Sequence, residues 1–140
     1  MIDKGLTMHT VFLSLGTNLG DRYSYLQTAL TLIEESLGKI VARSSVHETK
    51  PWGFNSEQNF LNMAVKVKTR LLPIQVLYIT QAIEREMGRT KKSGGIYEDR
   101  IIDIDIILYD EVKMDRPELT LPHPLYKERD FVLIPLSEIL

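Results

Sequence analysis

The chain has 140 residues, 44% hydrophobic and 26% charged, with a formal net charge of −2. That length and composition fit one folded domain and exclude disorder as a description of the whole chain. The slightly acidic balance argues against a general nucleic-acid binder, and the absence of cysteine excludes disulfides, thiolate zinc sites and thiol catalysis.

Taken in chain order, residues 11–15 are β-branched and apolar and predict a strand. It runs into Gly16-Thr17-Asn18-Leu19-Gly20-Asp21, whose glycines, Asn and Asp mark a turn into a helix. Leu26, Ala29, Leu30, Ile33 and Leu37 then follow helical spacing, with Asp21 as the N-cap and Gly38 as the stop. Residues 39–47 read as a second strand. They lead into a loop rich in turn formers over 49–56. Leu61, Met63, Val65 and Val67 alternate with more polar or smaller residues, the pattern of a strand with one buried face. Pro73 suits a helix start, Val76, Ile79, Ile83 and Met87 continue at helical spacing, and Gly88 ends it.

A basic, glycine-containing loop follows over 89–95, then a strand over 101–109 and an irregular segment over 120–130. A last helix is expected over 131–140, with Pro135 in its opening turns. The order β-α-β-β-α-β plus a tail predicts an α+β fold. It is a ferredoxin-like split βαβ sandwich, with an antiparallel sheet, helices on one face and the other face open to a ligand. No apolar run approaches the roughly 20 residues that span a bilayer, and no signal peptide is evident. The expectation is a cytoplasmic protein with no membrane or nucleic-acid partner. The histidines, His9, His47 and His123, are too far apart to suggest a histidine-only metal site.

The chemistry concentrates in Arg100-Ile101-Ile102-Asp103-Ile104-Asp105-Ile106-Ile107-Leu108. In a strand, Ile102, Ile104, Ile106 and Leu108 point one way and Asp103 and Asp105 the other. Two carboxylates about 6.5–7 Å apart on one face repel unless a cation sits between them. Mg²⁺ fits, since it takes oxygen ligands and shares its shell with phosphates. A solvated outer face is the plainer alternative, although Asp is a poor strand residue. Arg89, Lys91, Lys92 and Arg100 bring cations beside the carboxylates, as a polyphosphate site requires. His123, held between two prolines, and Arg129 add a second polar cluster. Trp52, Phe54, Phe60 and Phe131 have no obvious core position and either stack on a flat heterocycle or form a satellite cluster. Asn62, on the polar strand face, offers donors and acceptors to a heterocycle edge. These features alone fit a Mg-nucleotide enzyme of several kinds or a non-catalytic ferredoxin-like binding module. No dinucleotide fingerprint, P-loop or nucleophile elbow is present.

The same residues resemble the 6-hydroxymethyl-7,8-dihydropterin pyrophosphokinases. The resemblance is carried by Leu15-Gly16-Thr17-Asn18-Leu19-Gly20-Asp21, Glu48-Thr49-Lys50-Pro51-Trp52-Gly53 and Phe60-Leu61-Asn62-Met63-Ala64-Val65. It continues through Arg100-Ile101-Ile102-Asp103-Ile104-Asp105, Pro122-His123-Pro124 and Arg129-Asp130-Phe131-Val132-Leu133-Ile134-Pro135-Leu136. Such enzymes move pyrophosphate from ATP to the pterin hydroxymethyl group, leaving AMP, in folate biosynthesis. The resemblance implies one domain after a loose start at residues 1–8, acting as a monomer, with ATP as co-substrate and two Mg²⁺ ions on Asp103 and Asp105. It implies Arg89, Lys92 and Arg100 on the phosphates. Gln81, Glu84, Ile106, His123 and Arg129 complete the ATP site, and Thr49, Phe60, Asn62, Tyr97 and Phe131 surround the pterin. Tyr97-Glu98-Asp99 stands where such enzymes often carry Trp-Gly-Pro, and Tyr97 keeps the ability to stack. The tail after the last helix is short for the group.

Overall fold

A computed structural model describes residues 7–50, 59–88 and 101–140. The basic loop with Arg89, Lys92, Tyr97 and Arg100, together with Trp52 and Phe54, lies outside the described residues. In chain order the main elements are strand β1 (His9–Thr17), helix α1 (Arg22–Ser36) and strands β2 (Lys39–Arg43), β3 (His47–Thr49) and β4 (Phe60–Thr69). Helix α2 (Pro73–Glu86), strand β5 (Asp103–Tyr109), a small hairpin of β6 (Met114–Asp115) and β7 (Thr120–Leu121), and helix α3 (Asp130–Ser137) follow.

The sheet order is β2-β4-β1-β5, with β3 also on β4, and the pairings are antiparallel. This is the expected split βαβ arrangement. The predicted strand over 39–47 is two strands instead. A bulge falls between Ile40 and Ala42, and Ser44 leaves the ladder before His47 resumes pairing opposite Asn62. The buried Ser44 N–H still bonds the Ala64 carbonyl, and its hydroxyl accepts the Ala64 N–H.

Local chemistry explains the helix ends. Asp21 accepts the Ser24 N–H at 3.2 Å, an N-cap for α1. Gly38 ends the helix because the chain there runs against β4. A Cβ at Gly38 would lie 2.0 Å from the Lys68 carbonyl oxygen. Pro73 occupies the first turn of α2, and Gln75 reaches back to accept the Leu72 N–H at 2.8 Å.

The main core lies between the sheet and α1 with α2. Val11, Leu13 and Leu15 of β1, Leu61, Met63, Val65 and Val67 of β4, and Ile104 and Ile106 of β5 meet Leu26, Ala29, Leu30, Ile33, Val76 and Ile83. The opposite face is only partly open. There α3 packs Val132 and Leu136 on Ala64 and Ile107, with Phe12, Leu108, Tyr126, Phe131 and Ile139 alongside. The third helix therefore stands opposite the other two and, among the described residues, divides the second face into a covered and an uncovered half. This also corrects the side assigned to Leu108. A bulge between the Phe12 and Leu13 pairings inserts Ile107, so Ile107 and the half-buried Leu108 both turn towards α3. Pro135 falls inside α3 rather than in its unpaired first turn, and the helix ends soon after it. Burial of Val132, Pro135 and Leu136 holds this short helix in place.

Candidate active site

The uncovered half of that second face is set by three strands in register. Gly16 of β1 pairs with Asn62 of β4 on one side and with Asp103 of β5 on the other. One step along, Ser14 pairs with Ala64 and with Asp105. Cross-strand partners share a face, so Asn62, Asp103 and Asp105 stand on one surface, separated by a residue with no side chain. A Cβ on Gly16 would sit 3.4 Å from the Asn62 Oδ1 and 3.6 Å from the Phe60 ring. The glycine thus floors a recess between an amide and two carboxylates.

On the amide side, the Asn62 Nδ2 donates to the Thr49 hydroxyl at 2.7 Å. That bond fixes the amide's orientation and directs its Oδ1 towards the recess. Asn62 is buried, while Thr49 and Phe60, paired with each other across β3 and β4, are half-buried. Polar and aromatic groups at this degree of burial can hold a flat, polar-edged ring.

On the carboxylate side, Asp103 and Asp105 are both half-buried. No third carboxylate, histidine or cysteine joins them in a metal-ligating group among the described residues. A pair of carboxylates suits Mg²⁺, which keeps waters and takes further oxygens from phosphates. It does not suit zinc, which asks for a fuller set of nitrogen or sulfur ligands. Asp103 also acts on His123. The imidazole titrates below its ordinary range because it is partly buried and faces Arg129, and the Asp103 charge partly opposes that shift. His123, Arg129 and Asp103 therefore share one electrostatic neighbourhood, though they come from different parts of the chain. The main chain pins His123 there, its N–H donating to the Ile107 carbonyl at 2.9 Å.

Phe131 lies at the start of α3, half-buried against the second apolar cluster, with the Arg129 guanidinium 5.9 Å from its ring centre. It is thus part of that cluster and lies beside Arg129. The remaining expected nucleotide residues are spread more widely. Gln81 is exposed on α2. Glu84 is buried, and its Oε2 accepts the Ile104 N–H at 2.8 Å. The Ile106 side chain is in the main core, on the side away from the carboxylates, so only its main chain is available to a ligand.

Sequence reasoning missed two features. Gly16 falls in the segment whose composition predicts a turn, but it lies inside β1, where a glycine signals close approach of a ligand or backbone. The second is a cluster at the far end of α3. Glu138 accepts the Ser45 N–H at 2.8 Å and the Ser45 hydroxyl at 2.9 Å, and meets the His47 Nε2 at 2.5 Å. The Ser45 hydroxyl also approaches that same nitrogen, at 3.1 Å. A nucleophile relay needs the acid and the hydroxyl on opposite ring nitrogens, so this is a tie between α3 and the β2–β3 connection. Nothing in the spacing of residues 45, 47 and 138 announces it.

The fold and this recess define an α+β protein that gathers an amide, an aromatic ring and two carboxylates on one sheet face. Residues 12–140 match the family model described as 7,8-dihydro-6-hydroxymethylpterin-pyrophosphokinase. The chain belongs to this family. It is 52% identical over 134 residues to a 2-amino-4-hydroxy-6-hydroxymethyldihydropteridine pyrophosphokinase of Porphyromonas gingivalis, covering 94% of this chain and 91% of that one. To the enzyme of the same name from Bacillus subtilis it is 42% identical over 129 residues, covering 91% and 76%. Among solved structures, an HPPK-DHPS chain crystallised in complex with substrates superposes with a TM-score of 0.75 at 17% identity. That match covers 94% of this chain and 40% of the other, and it speaks for the fold alone. The protein is thus a pyrophosphokinase of folate synthesis, with ATP as co-substrate, acting on small molecules.

Proposed function

We propose that the recess over Gly16 is where the pyrophosphoryl group passes from ATP to 6-hydroxymethyl-7,8-dihydropterin. Asn62, Thr49, Phe60 and Phe131 hold the pterin, and Asp103 and Asp105 hold two Mg²⁺ ions. The observation that supports this reading is the row Asn62–Gly16–Asp103, an amide and a carboxylate on either side of a residue with no side chain. Bound there, Mg²⁺ would neutralise phosphate charge and orient the triphosphate.

The rest is positioning. The pterin hydroxyl oxygen attacks the β-phosphorus of ATP in line and gives up its proton to water, the bond from that phosphorus to the α–β bridging oxygen breaks, and AMP departs with that oxygen. His123 and Arg129, beside Asp103, contact the phosphates from the side opposite Asn62. Arg89, Lys92 and Arg100 supply further positive charge, Tyr97 stacks on the pterin, and Gln81, Glu84 and the Ile106 main chain border the nucleotide. Holding two substrates in attack geometry is worth about 7–11 kcal/mol, enough to make the site effective without a dedicated base. We further propose a cytoplasmic monomer, in keeping with a chain that has no cysteine. Among the described residues no helix is long and apolar enough to cross a membrane.

Incubation with ATP, the hydroxymethyl-dihydropterin and either Mg²⁺ or EDTA tests the reading. AMP and pterin pyrophosphate in equal amounts, formed with Mg²⁺ and not with EDTA, are expected. ADP, or turnover that survives chelation, would refute it.

A further inference from the structure

Arg22 stands in the first turn of α1, where the positive end of the helix dipole disfavours a cation. Its side chain is nevertheless only 21% exposed. The Nη1 donates to the Asn59 main-chain carbonyl at 2.8 Å and reaches the Glu48 Oε2 at 3.5 Å. The Asn59 side-chain amide donates to that same Glu48 oxygen at 3.3 Å. Glu48 and Asn59 directly precede Thr49 and Phe60, which pair across β3 and β4.

We propose that Arg22 is a positioning residue for the pterin subsite, gripping β3 and β4 one residue away from two of its walls. The inference rests on the assignment of Thr49, Phe60 and Asn62 to the pterin. β3 has three residues and lies along β4, and so short a pairing is weak by itself. If its end drifts, the Thr49 hydroxyl leaves the Asn62 amide, and the amide is free to turn. The Arg22–Glu48 ion pair, long at 3.5 Å and with Glu48 exposed, contributes little. The weight falls on the charge-assisted bond to the Asn59 carbonyl. Both contacts come from the one Nη1, so a lysine ammonium can replace them in part, from a shorter and more strongly hydrated head.

The test compares Arg22→Ala, Arg22→Lys and Asn62→Ala by steady-state KM for each substrate, with a thermal melt of each variant. Arg22→Ala should raise the pterin KM about tenfold, equivalent to about 1.4 kcal/mol. The ATP KM and kcat should stay within about twofold of the parent. Arg22→Lys should fall between parent and alanine, and it carries the same test should the alanine variant fail to fold. Asn62→Ala checks the subsite independently. If it leaves the pterin KM unchanged, the subsite assignment fails, and the clamp with it. If it raises the pterin KM while folded Arg22 variants do not, the clamp alone is refuted. Equal rises in both KM values, tracking the loss of melting temperature, would mark Arg22 as a general stabiliser and also overturn the proposal.

Discussion

The Oε2 of Glu84 accepts the main-chain N–H of Ile104 at 2.8 Å, and Ile104 is the residue between Asp103 and Asp105. Among the described residues β5 is the last strand of the sheet, and no strand pairs with it on the side away from β1. α2 supplies the missing acceptor from a carboxylate that is only 9% exposed. A helix on one face of the sheet thereby fixes the strand that presents two carboxylates on the other.

Removing that acceptor should show in both stability and metal binding. Glu84→Ala leaves the buried Ile104 N–H unpaired, at a cost of about 1–3 kcal/mol. The melting temperature should drop by several degrees, and Mg²⁺ should bind more weakly as β5 loosens. Glu84→Gln keeps an acceptor oxygen and should retain most of the stability. Thermal melts with a Mg²⁺ titration would check this, and an alanine variant as stable as the parent would dissociate Glu84 from the strand.

Asp103→Ala and Asp105→Ala should each fold and each lose most turnover. Half-buried positions on the uncovered half of the sheet face contribute little apolar packing, so large stability losses are not expected. Loss of electrostatic stabilisation of comparable importance costs about 10²–10³ in kcat. Near-normal rates in both variants would sink the metal assignment.

Glu138 titrates below the ordinary carboxylate range, chiefly because it accepts the Ser45 N–H and then through its bonds to His47 and the Ser45 hydroxyl. A carboxylate whose folded pKa is depressed stabilises the fold above its unfolded pKa, and that contribution fades as pH falls through the folded pKa. The parent should therefore lose melting temperature more steeply below about pH 5 than Glu138→Gln. Melts between neutral and acid pH would show it, and parallel curves would mean that the Ser45–His47–Glu138 tie adds nothing to docking of α3.

Much of this architecture was readable because periodicity records burial. The apolar stripe of α1 and the alternation of Leu61, Met63, Val65 and Val67 both describe contact with the main core, and both are found there. The opposite face was harder to read. Ala64 and Ile107 look like ordinary strand residues, and nothing local reveals that α3 covers them. The bulge that turns Leu108 is set by pairing with β1 and leaves no mark in the sequence. In the site, Asp103 and Asp105 stood out because paired carboxylates are an expensive choice for a strand. Glu84 and Arg22 act on main-chain groups distant in sequence, and such contacts have no motif.

Phe131→Ala should weaken pterin binding and also destabilise the protein. The ring is half-buried and packs on the cluster of Val132 and Leu136, so it contributes to a core besides the wall role proposed for it. Stacking on a flat ring is worth about 1–3 kcal/mol, while complete truncation of a buried Phe costs about 3–5 kcal/mol, an upper bound at this exposure. Phe131→Leu keeps much of the packing and loses the π-face, so it should separate the two effects. A lower pterin affinity with a nearly unchanged melting temperature is expected of that variant, and unchanged affinity would refute stacking.

Gly16→Ala offers the cleanest probe of the recess. The conformation at Gly16 is that of an ordinary strand residue, paired on both sides, so alanine meets no backbone penalty there. The new methyl would lie 3.4 Å from the Asn62 Oδ1 and 3.6 Å from the Phe60 ring, ordinary contact distances. The fold should therefore persist, with a melting temperature close to the parent's or slightly above it, since alanine also narrows the unfolded ensemble. Space for the ligand, in contrast, is lost where the amide and the carboxylates converge. Pterin affinity should fall, and kcat with it if the ring is lifted away from the β-phosphorus. Gly16→Val should do more of both, its larger side chain pressing on Asn62 and Phe60. Calorimetric titration with pterin and with ATP, beside a thermal melt, separates the outcomes. A folded Gly16→Ala protein with parental pterin affinity and turnover would show that the ring does not rest on this floor, and the site would have to be sought elsewhere on the sheet.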